Sequence, residues 1–254
     1  MKPLDDRAPP YAPIRTDAAV TLNAPLALDA TAAASLRFRK VNVKEAFTLA
    51  GPDGQWYRCA LEALDDDGGR ALPYERMIAS PESSARITLV VAVLQRQRML
   101  VVAQKATELG VTRIQPCFTA RSVQADGLAH EKVHAWPGQC LKGARQCRRG
   151  SVPPLEPVRS LAEVMDTDAW RGAALRVFLD DRSEGVGGLA PVDGDVVLVV
   201  GPEGGFAAKE REALTAHGAR PLRLGGRVLR AETAVFAGLA VLQHRLGDME
   251  IDAP

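Results

Sequence analysis

Arg227, Arg230 and Glu232 crowd the entry to a long apolar helical stretch, within the run Leu224-Gly225-Gly226-Arg227-Val228-Leu229-Arg230-Ala231-Glu232-Thr233-Ala234. Three charges beside a core element need either mutual pairing or a ligand. About twenty residues earlier stands a second glycine-bearing run, Gly201-Pro202-Glu203-Gly204-Gly205-Phe206. Each run follows an apolar stretch, Val196 to Val200 and Pro221 to Leu224, of the kind that forms a buried strand. Glycine at a strand end lets a ligand approach backbone N–H and C=O groups, because no Cβ intervenes. Arginine and glutamate there can orient a polar substrate, accept a proton or stabilise an anion. The competing explanation of Gly201 to Phe206 is a tight strand-to-helix turn, with Glu210 as the half of a capping box that Ala207 cannot complete.

Two other spacings could carry chemistry. His130-Glu131-Lys132-Val133-His134 satisfies H-E-x-x-H, which on an α-helix sets two imidazoles on one face for zinc. Gly127 before it and Pro137 after it leave little uninterrupted helix, and Glu156, a conceivable third ligand, follows Pro153 and Pro154. A zinc peptidase is therefore the disfavoured reading, and no metal is expected. Gly185-Val186-Gly187-Gly188-Leu189-Ala190 meets a dinucleotide-binding pattern but follows Asp180 to Glu184 rather than a strand, so a surface loop explains it better. Cys59, Cys117, Cys140 and Cys147 contain no C-x-x-C pair, which points to reduced thiols.

The chain that carries these loops reads as two domains. Pro3, Pro9, Pro10 and Pro13 make residues 1–13 a loose arm. Residues 19–64 read as short strands, with a hairpin formed by Phe47 to Ala50, a Gly51-Pro52-Asp53-Gly54 turn and Trp56 to Leu61. Residues 65–84 are turn-rich, with room for one more strand, and the boundary is set at residue 82. Residues 83–254 alternate strands and helices: strands at Ile87 to Leu94, Val111 to Cys117, Ala174 to Leu179, Val196 to Val200 and Pro221 to Leu224. Helices fall at Met99 to Leu109, Lys132 to Gln146 with Pro137 a difficulty, Lys209 to His217 and Ala231 to Leu246. Alternation of this kind predicts a parallel sheet covered on both faces, with its ligand site beyond the carboxyl ends of the strands. The last helix is apolar on most sides, with Ala237, Gly238 and Ala240 small enough for close approach, which predicts a homodimer.

The net charge of +1 hides an asymmetry. Residues 96–160 carry eleven Lys and Arg against four Asp and Glu, whereas residues 1–85 carry ten against twelve and residues 161–254 ten against fifteen. A basic middle beside acidic flanks is a footprint for a polyanion such as nucleic acid, although any single cluster, for instance Arg145, Arg148 and Arg149, also fits a solvated helix face. No apolar run reaches the length of a membrane span, and Met1 to Asp6 lacks a signal-peptide core, so a cytoplasmic protein without membrane contact is expected.

Taken with Lys105-Ala106-Thr107-Glu108-Leu109-Gly110-Val111 and Arg121-Ser122, the G-P-E-G-G-F and L-G-x-R-V-L-R-x-E-T-A patterns resemble those of the 16S ribosomal RNA uracil-N3-methyltransferases of the SPOUT superfamily, over roughly residues 86–246. The pattern departs from the family's at Gln95-Arg96, at Arg145-Gln146 and around Tyr11 to Arg15 and Phe38-Arg39-Lys40. The resemblance implies S-adenosylmethionine as methyl donor, a C-terminal SPOUT α/β domain with a parallel sheet and deep trefoil knot, a small N-terminal PUA-like β-barrel domain, a homodimer, and 16S rRNA in the 30S ribosomal subunit as partner. The knot rests on the resemblance alone, since the general rule is an unthreaded chain. By the same resemblance Leu179, Gly201, Glu203, Gly204, Leu224, Gly225, Val228 and Leu229 hold the cofactor. Arg230, with Arg121, is expected to face the uracil oxygens, and Glu232 to orient an arginine or accept the N3 proton. Arg96, Lys105, Arg121, Lys142, Arg145 and Arg149 are expected to grip RNA. The rival readings are another SPOUT enzyme acting on tRNA or 23S rRNA, at a base or a ribose 2′-oxygen, and a noncatalytic RNA-binding protein.

Overall fold

The computed structural model describes residues 10–95, 97–183 and 192–249. The chain divides into two compact units, Met1–Glu82 with Ala144–Val152, and Ser83–Gly143 with Pro153–Pro254. The first is built on a five-stranded sheet of order β1-β3-β4-β5-β2, in which β1 (Ile14–Arg15) runs parallel to β3 (Ala46–Ala50). The expected hairpin is β3 and β4 (Trp56–Leu64), and the turn-rich stretch after it holds β5 (Gly69–Arg76), which pairs with β2 (Leu26–Leu28) at the far edge. Irregularities in the β4–β5 register at Arg58/Cys59 and Leu61/Ala63 bend the sheet around a core of Ile14, Leu36, Leu49, Cys59 and Leu61.

Two features of this unit correct the sequence reading. The stretch read as strands contains a helix, α1 (Ala30–Phe38), started by Asp29, whose Oδ1 accepts the Ala32 N–H at 2.7 Å. Its alanines and leucine give it high helix propensity, which the turn residues on either side obscure. Residues 10–13 are not loose. The buried Arg39 donates to the carbonyls of Ala12 and Gly150, Tyr11 stacks edge-on against Phe38 at 5.2 Å, and the Val152 N–H donates to Tyr11 O at 3.0 Å. The same contacts draw residues 144–152, which the sequence reading left in the second domain, into the first unit.

The second unit contains a six-stranded, wholly parallel sheet of order β11-β9-β10-β6-β7-β8, comprising β6 (Ile87–Ala92), β7 (Arg113–Phe118), β8 (Arg159–Ser160), β9 (Leu175–Leu179), β10 (Val196–Val200) and β11 (Arg220–Leu222). β10 reads Val-Val-Leu-Val-Val and every residue is buried, as a central strand covered on both faces requires. One face packs Val90, Val197, Val199 and Phe178 against Val164 of α4 (Leu161–Met165), Trp170 of α5 (Asp168–Arg171) and Leu214 of α6 (Ala208–Ala216). The short α4 starts from a capping box, Ser160 with Glu163. On α2 (Gln97–Glu108) and α7 (Ala231–Leu246) the buried Met99, Val102, Val235 and Leu239 form apolar faces.

Strand order explains why the site lies where it does. The chain lays down β6, β7 and β8 outward in one direction, returns to β9 on the other side, and then inserts β10 between β9 and β6. The carboxyl ends of β9, β10 and β11 are thus side by side although their following loops are far apart in sequence.

The expected helix over residues 132–146 is shorter. α3 spans Trp136–Gln146, so Pro137 falls in its first turn, where a missing N–H costs nothing. Residues 128–131 and 133–135 form two 3-10 turns separated by Lys132 at φ +51°. His130 and His134 therefore do not stand one turn apart on an α-helix. Among the described residues no group of three or more His, Cys, Asp or Glu converges as a metal site, and no helix is long and apolar enough to cross a membrane. The Gly185 to Ala190 pattern lies outside the described residues.

Candidate active site

Loops leaving β9, β10 and β11 line an open cleft of about 170 Å³. Leu179, Gly201, Glu203, Gly204, Leu224, Gly225, Val228 and Leu229, the eight residues expected around a cofactor, all line it. Its walls are apolar where Leu179, Val200, Phe206, Leu222, Leu224 and Ala234 contribute, and charged at Asp180, Asp181, Arg182, Arg211, Arg223 and Arg227. Gly201 is favoured by packing, because a Cβ there would lie 3.0 Å from the buried Phe206 ring, which folds back over it and meets Phe178 edge-on. Gly205 and Gly225 are required by conformation, with φ of +67° and +71°, and a Cβ at either would meet nothing. Both glycine loops thus contain a left-handed glycine, and the first is in addition wrapped around an aromatic ring.

Polar contacts tie the rim together. Glu210, third residue of α6, accepts the Ala207 N–H at 2.8 Å and the Ala120 N–H at 2.7 Å, so one carboxylate caps α6 and anchors the loop after β7. That loop carries Arg121, whose Nη1 donates to Gly204 O at 2.7 Å. Arg211 donates to Phe206 O at 2.7 Å and lies 3.9 Å from Asp180. Arg98, near the start of α2, ion-pairs with Glu203 and approaches Glu232 at 3.8 Å. The Oε2 of Glu232 is shut off from solvent without a hydrogen bond. Sequence reasoning passes over Arg98, which has no glycine or motif beside it; its one signal is a cation at a helix start, where the helix dipole disfavours it.

The remaining expected residues are placed as follows. Arg230 is the residue before α7: its carbonyl accepts the Ala234 N–H at 2.8 Å and its side chain is exposed. Lys105 pairs with Glu108 at 2.8 Å, and Lys142 is exposed on α3. Arg96 lies outside the described residues. Arg145 pairs with Glu45 at 2.8 Å, both in the first unit. Arg149 corrects the expectation of RNA contact: its side chain is 3% exposed and donates to Glu82 at 2.7 Å, itself 9% exposed, so it is a buried structural cation.

Residues 81–243 match the model of the RNA methyltransferase domain. The chain belongs to that family. It is 32% identical over 210 residues to the ribosomal RNA small subunit methyltransferase E of Mycobacterium bovis, covering 80% of each chain, and 24% identical to that of Bacillus subtilis, covering 81% of this chain and 84% of the other. The crystal structure of the Neisseria gonorrhoeae ribosomal RNA small subunit methyltransferase E bound to S-adenosyl methionine is similar, with a TM-score of 0.67 at 26% identity over 94% of this chain and 100% of that one. The expected fold class, a SPOUT α/β domain with a smaller PUA-like β domain, therefore holds. The peptidase reading lacks its geometry, because the two 3-10 turns around Lys132 keep His130 and His134 off one α-helical face.

Proposed function

We propose that this chain is an S-adenosylmethionine-dependent methyltransferase that methylates N3 of a uridine in 16S rRNA of the small ribosomal subunit. The observation that carries this reading is the cleft beyond β9, β10 and β11, where the seven residues singled out in the two glycine loops converge with Leu179 at the end of β9. The donor is a cationic sulfonium with an amino acid at one end and a flat adenosine at the other. Apolar walls suit the adenine, Asp180 and Asp181 suit the cationic portion, Arg182, Arg223 and Arg227 suit the carboxylate, and glycine backbone offers hydrogen bonds at close range. When bound, that group supplies an electrophilic methyl.

The chain's own residues must then make N3 nucleophilic. A neutral uracil N3 has no available lone pair, so its proton must leave before or during attack. In this reading Arg230 and Arg121 face the uracil oxygens and stabilise the charge that develops there, with Arg121 held by Gly204 O and the Glu210 anchor. Glu232, in the first turn of α7, serves as proton acceptor or orients an arginine, and Arg98 is the cation within its reach. Lys105, Lys142 and Arg145 stand exposed and are the cations left to grip phosphate, which makes RNA binding weaken steeply with salt. The reading includes a cytoplasmic homodimer. The test is transfer of labelled methyl from S-adenosylmethionine to 16S rRNA or 30S subunits lacking the modification, followed by mass mapping. N3-methyluridine at one position is the expected result; a ribose 2′-O-methyl, or no transfer to either substrate, overturns it.

A further inference from the structure

Arg98 meets both carboxylates of the two glycine loops from a third element. Its Nη1 ion-pairs with Glu203 Oε1, in the loop after β10, and its Nε lies 3.8 Å from Glu232 Oε2, in the first turn of α7. The contact with Glu232 is beyond hydrogen-bond range, and that Oε2 is buried without a donor, so among the described residues Arg98 is the cation within ion-pair distance of it. The Glu232 side chain is only 18% exposed, whereas Arg98 and Glu203 stand at 35% and 36%. A planar guanidinium can serve two carboxylates from different directions; an ammonium cannot hold the same geometry. Without it, both carboxylates would lose the ion pair they share.

We propose that Arg98 is the positioning residue of this site: by holding Glu203 and Glu232 on one guanidinium it fixes the α7 entry, with Arg230, against the Gly201–Phe206 loop. It rests on the methyl-transfer reading, which requires donor methyl and acceptor nitrogen to be aligned by those two segments. Small misplacements there carry large rate penalties while leaving ground-state contacts nearly intact. Arg98 does not itself line the donor cleft and reaches the donor loop only through Glu203, so the apolar walls and glycine backbone around the donor do not depend on a direct contact with it.

The experiment compares wild-type protein with Arg98→Gln and Arg98→Lys on unmodified 30S subunits, with S-adenosylmethionine affinity measured separately by calorimetry. Arg98→Gln is expected to lower kcat by at least about tenfold, with donor Kd within about threefold, and Arg98→Lys to recover part of the rate. On a Glu232→Gln background the Arg98→Gln change should cost clearly less than in wild type, because the two act as a unit. Amide hydrogen exchange on protein without ligand gives a readout independent of turnover: residues 203–206 and 231–234 should both exchange faster in Arg98→Gln. A rate within twofold of wild type, a rate and donor affinity that fall in parallel with the melting temperature, additive double-mutant effects, or unchanged exchange at both segments would each overturn the proposal. If wild-type protein itself transfers no methyl group, the functional reading falls and this one with it; transfer by wild type with an unaffected Arg98→Gln rejects this one alone.

Discussion

Glu210→Ala probes how the rim of the cleft is held. Its two carboxylate oxygens take separate backbone donors, Ala120 N–H at 2.7 Å and Ala207 N–H at 2.8 Å. A hydrogen bond to a charged acceptor contributes about 1.5 kcal/mol or more, so two give about 3 kcal/mol. Ala120 is exposed and water can replace part of that contact, which brings the expected loss to about 2 kcal/mol. For a chain of this size each kcal/mol moves the melting temperature by about 2–4 °C, so the variant should melt about 4–8 °C lower. Glu210→Gln keeps one acceptor oxygen and should lose about half as much. Because Ala120 adjoins Arg121, the alanine variant should also slow methyl transfer more than it weakens donor binding. Circular dichroism melts and urea midpoints read the first effect, and single-turnover transfer the second. An alanine variant that melts within about 1 °C of the parent would refute the reasoning, since it would mean that neither bond is a net stabiliser.

Three further outcomes follow from the geometry. Arg149→Ala removes one partner of a buried ion pair while Glu82 keeps its hydrogen bonds from Ser151, which should cost about 3 kcal/mol of stability; Arg145→Ala, at an exposed pair, should cost no more than about 1 kcal/mol, and urea denaturation separates the two. Burial, and to a lesser degree the Glu210 carboxylate, pushes the Cys117 thiol up to about 12, and burial likewise pushes Cys59 up to about 12; iodoacetamide at about pH 8 should therefore label the partly exposed Cys147 first, and early labelling of Cys59 or Cys117 in peptide maps would contradict this. The Glu45 carboxyl is held below its usual value chiefly by the Asn42 N–H and further by Arg145. A carboxyl lowered on folding adds stability above its unfolded pKa, about 4.3, and loses it as pH falls through the lower folded value; Glu45→Gln should thus be less stable than the parent at about pH 7, by under about 1 kcal/mol, with the two converging below about pH 4. Equal urea midpoints at neutral pH would exclude that contribution.

Much of the second unit was legible in the sequence because its signals are local. The β-branched run Val196 to Val200 favours a strand buried on both faces, Gly110 stops α2 with φ +79°, and the period of Val235, Leu239 and Leu242 sets α7. The two glycine loops were legible for the same reason, each being a contiguous run. Local signals failed where turn residues masked propensity, as at α1, and where the 3-10 turns around Lys132 broke an apparent helix, removing the H-E-x-x-H geometry.

The sequence by itself determined which segments are strands and helices, which loops carry glycine and charge, and the resemblance that joins them. Tertiary structure alone decided which charges meet. Arg145, Arg148 and Arg149 look alike in a basic run, yet Arg149 is buried against Glu82 while Arg145 is exposed beside Glu45. Arg98, unremarked in the chain, stands between Glu203 and Glu232, residues more than one hundred positions away. The reason is physical: hydrogen bonding along the backbone and the period of apolar residues act over a few positions. The pairing of two charges depends instead on where a parallel sheet, with β10 inserted between β9 and β6, brings the ends of distant strands together.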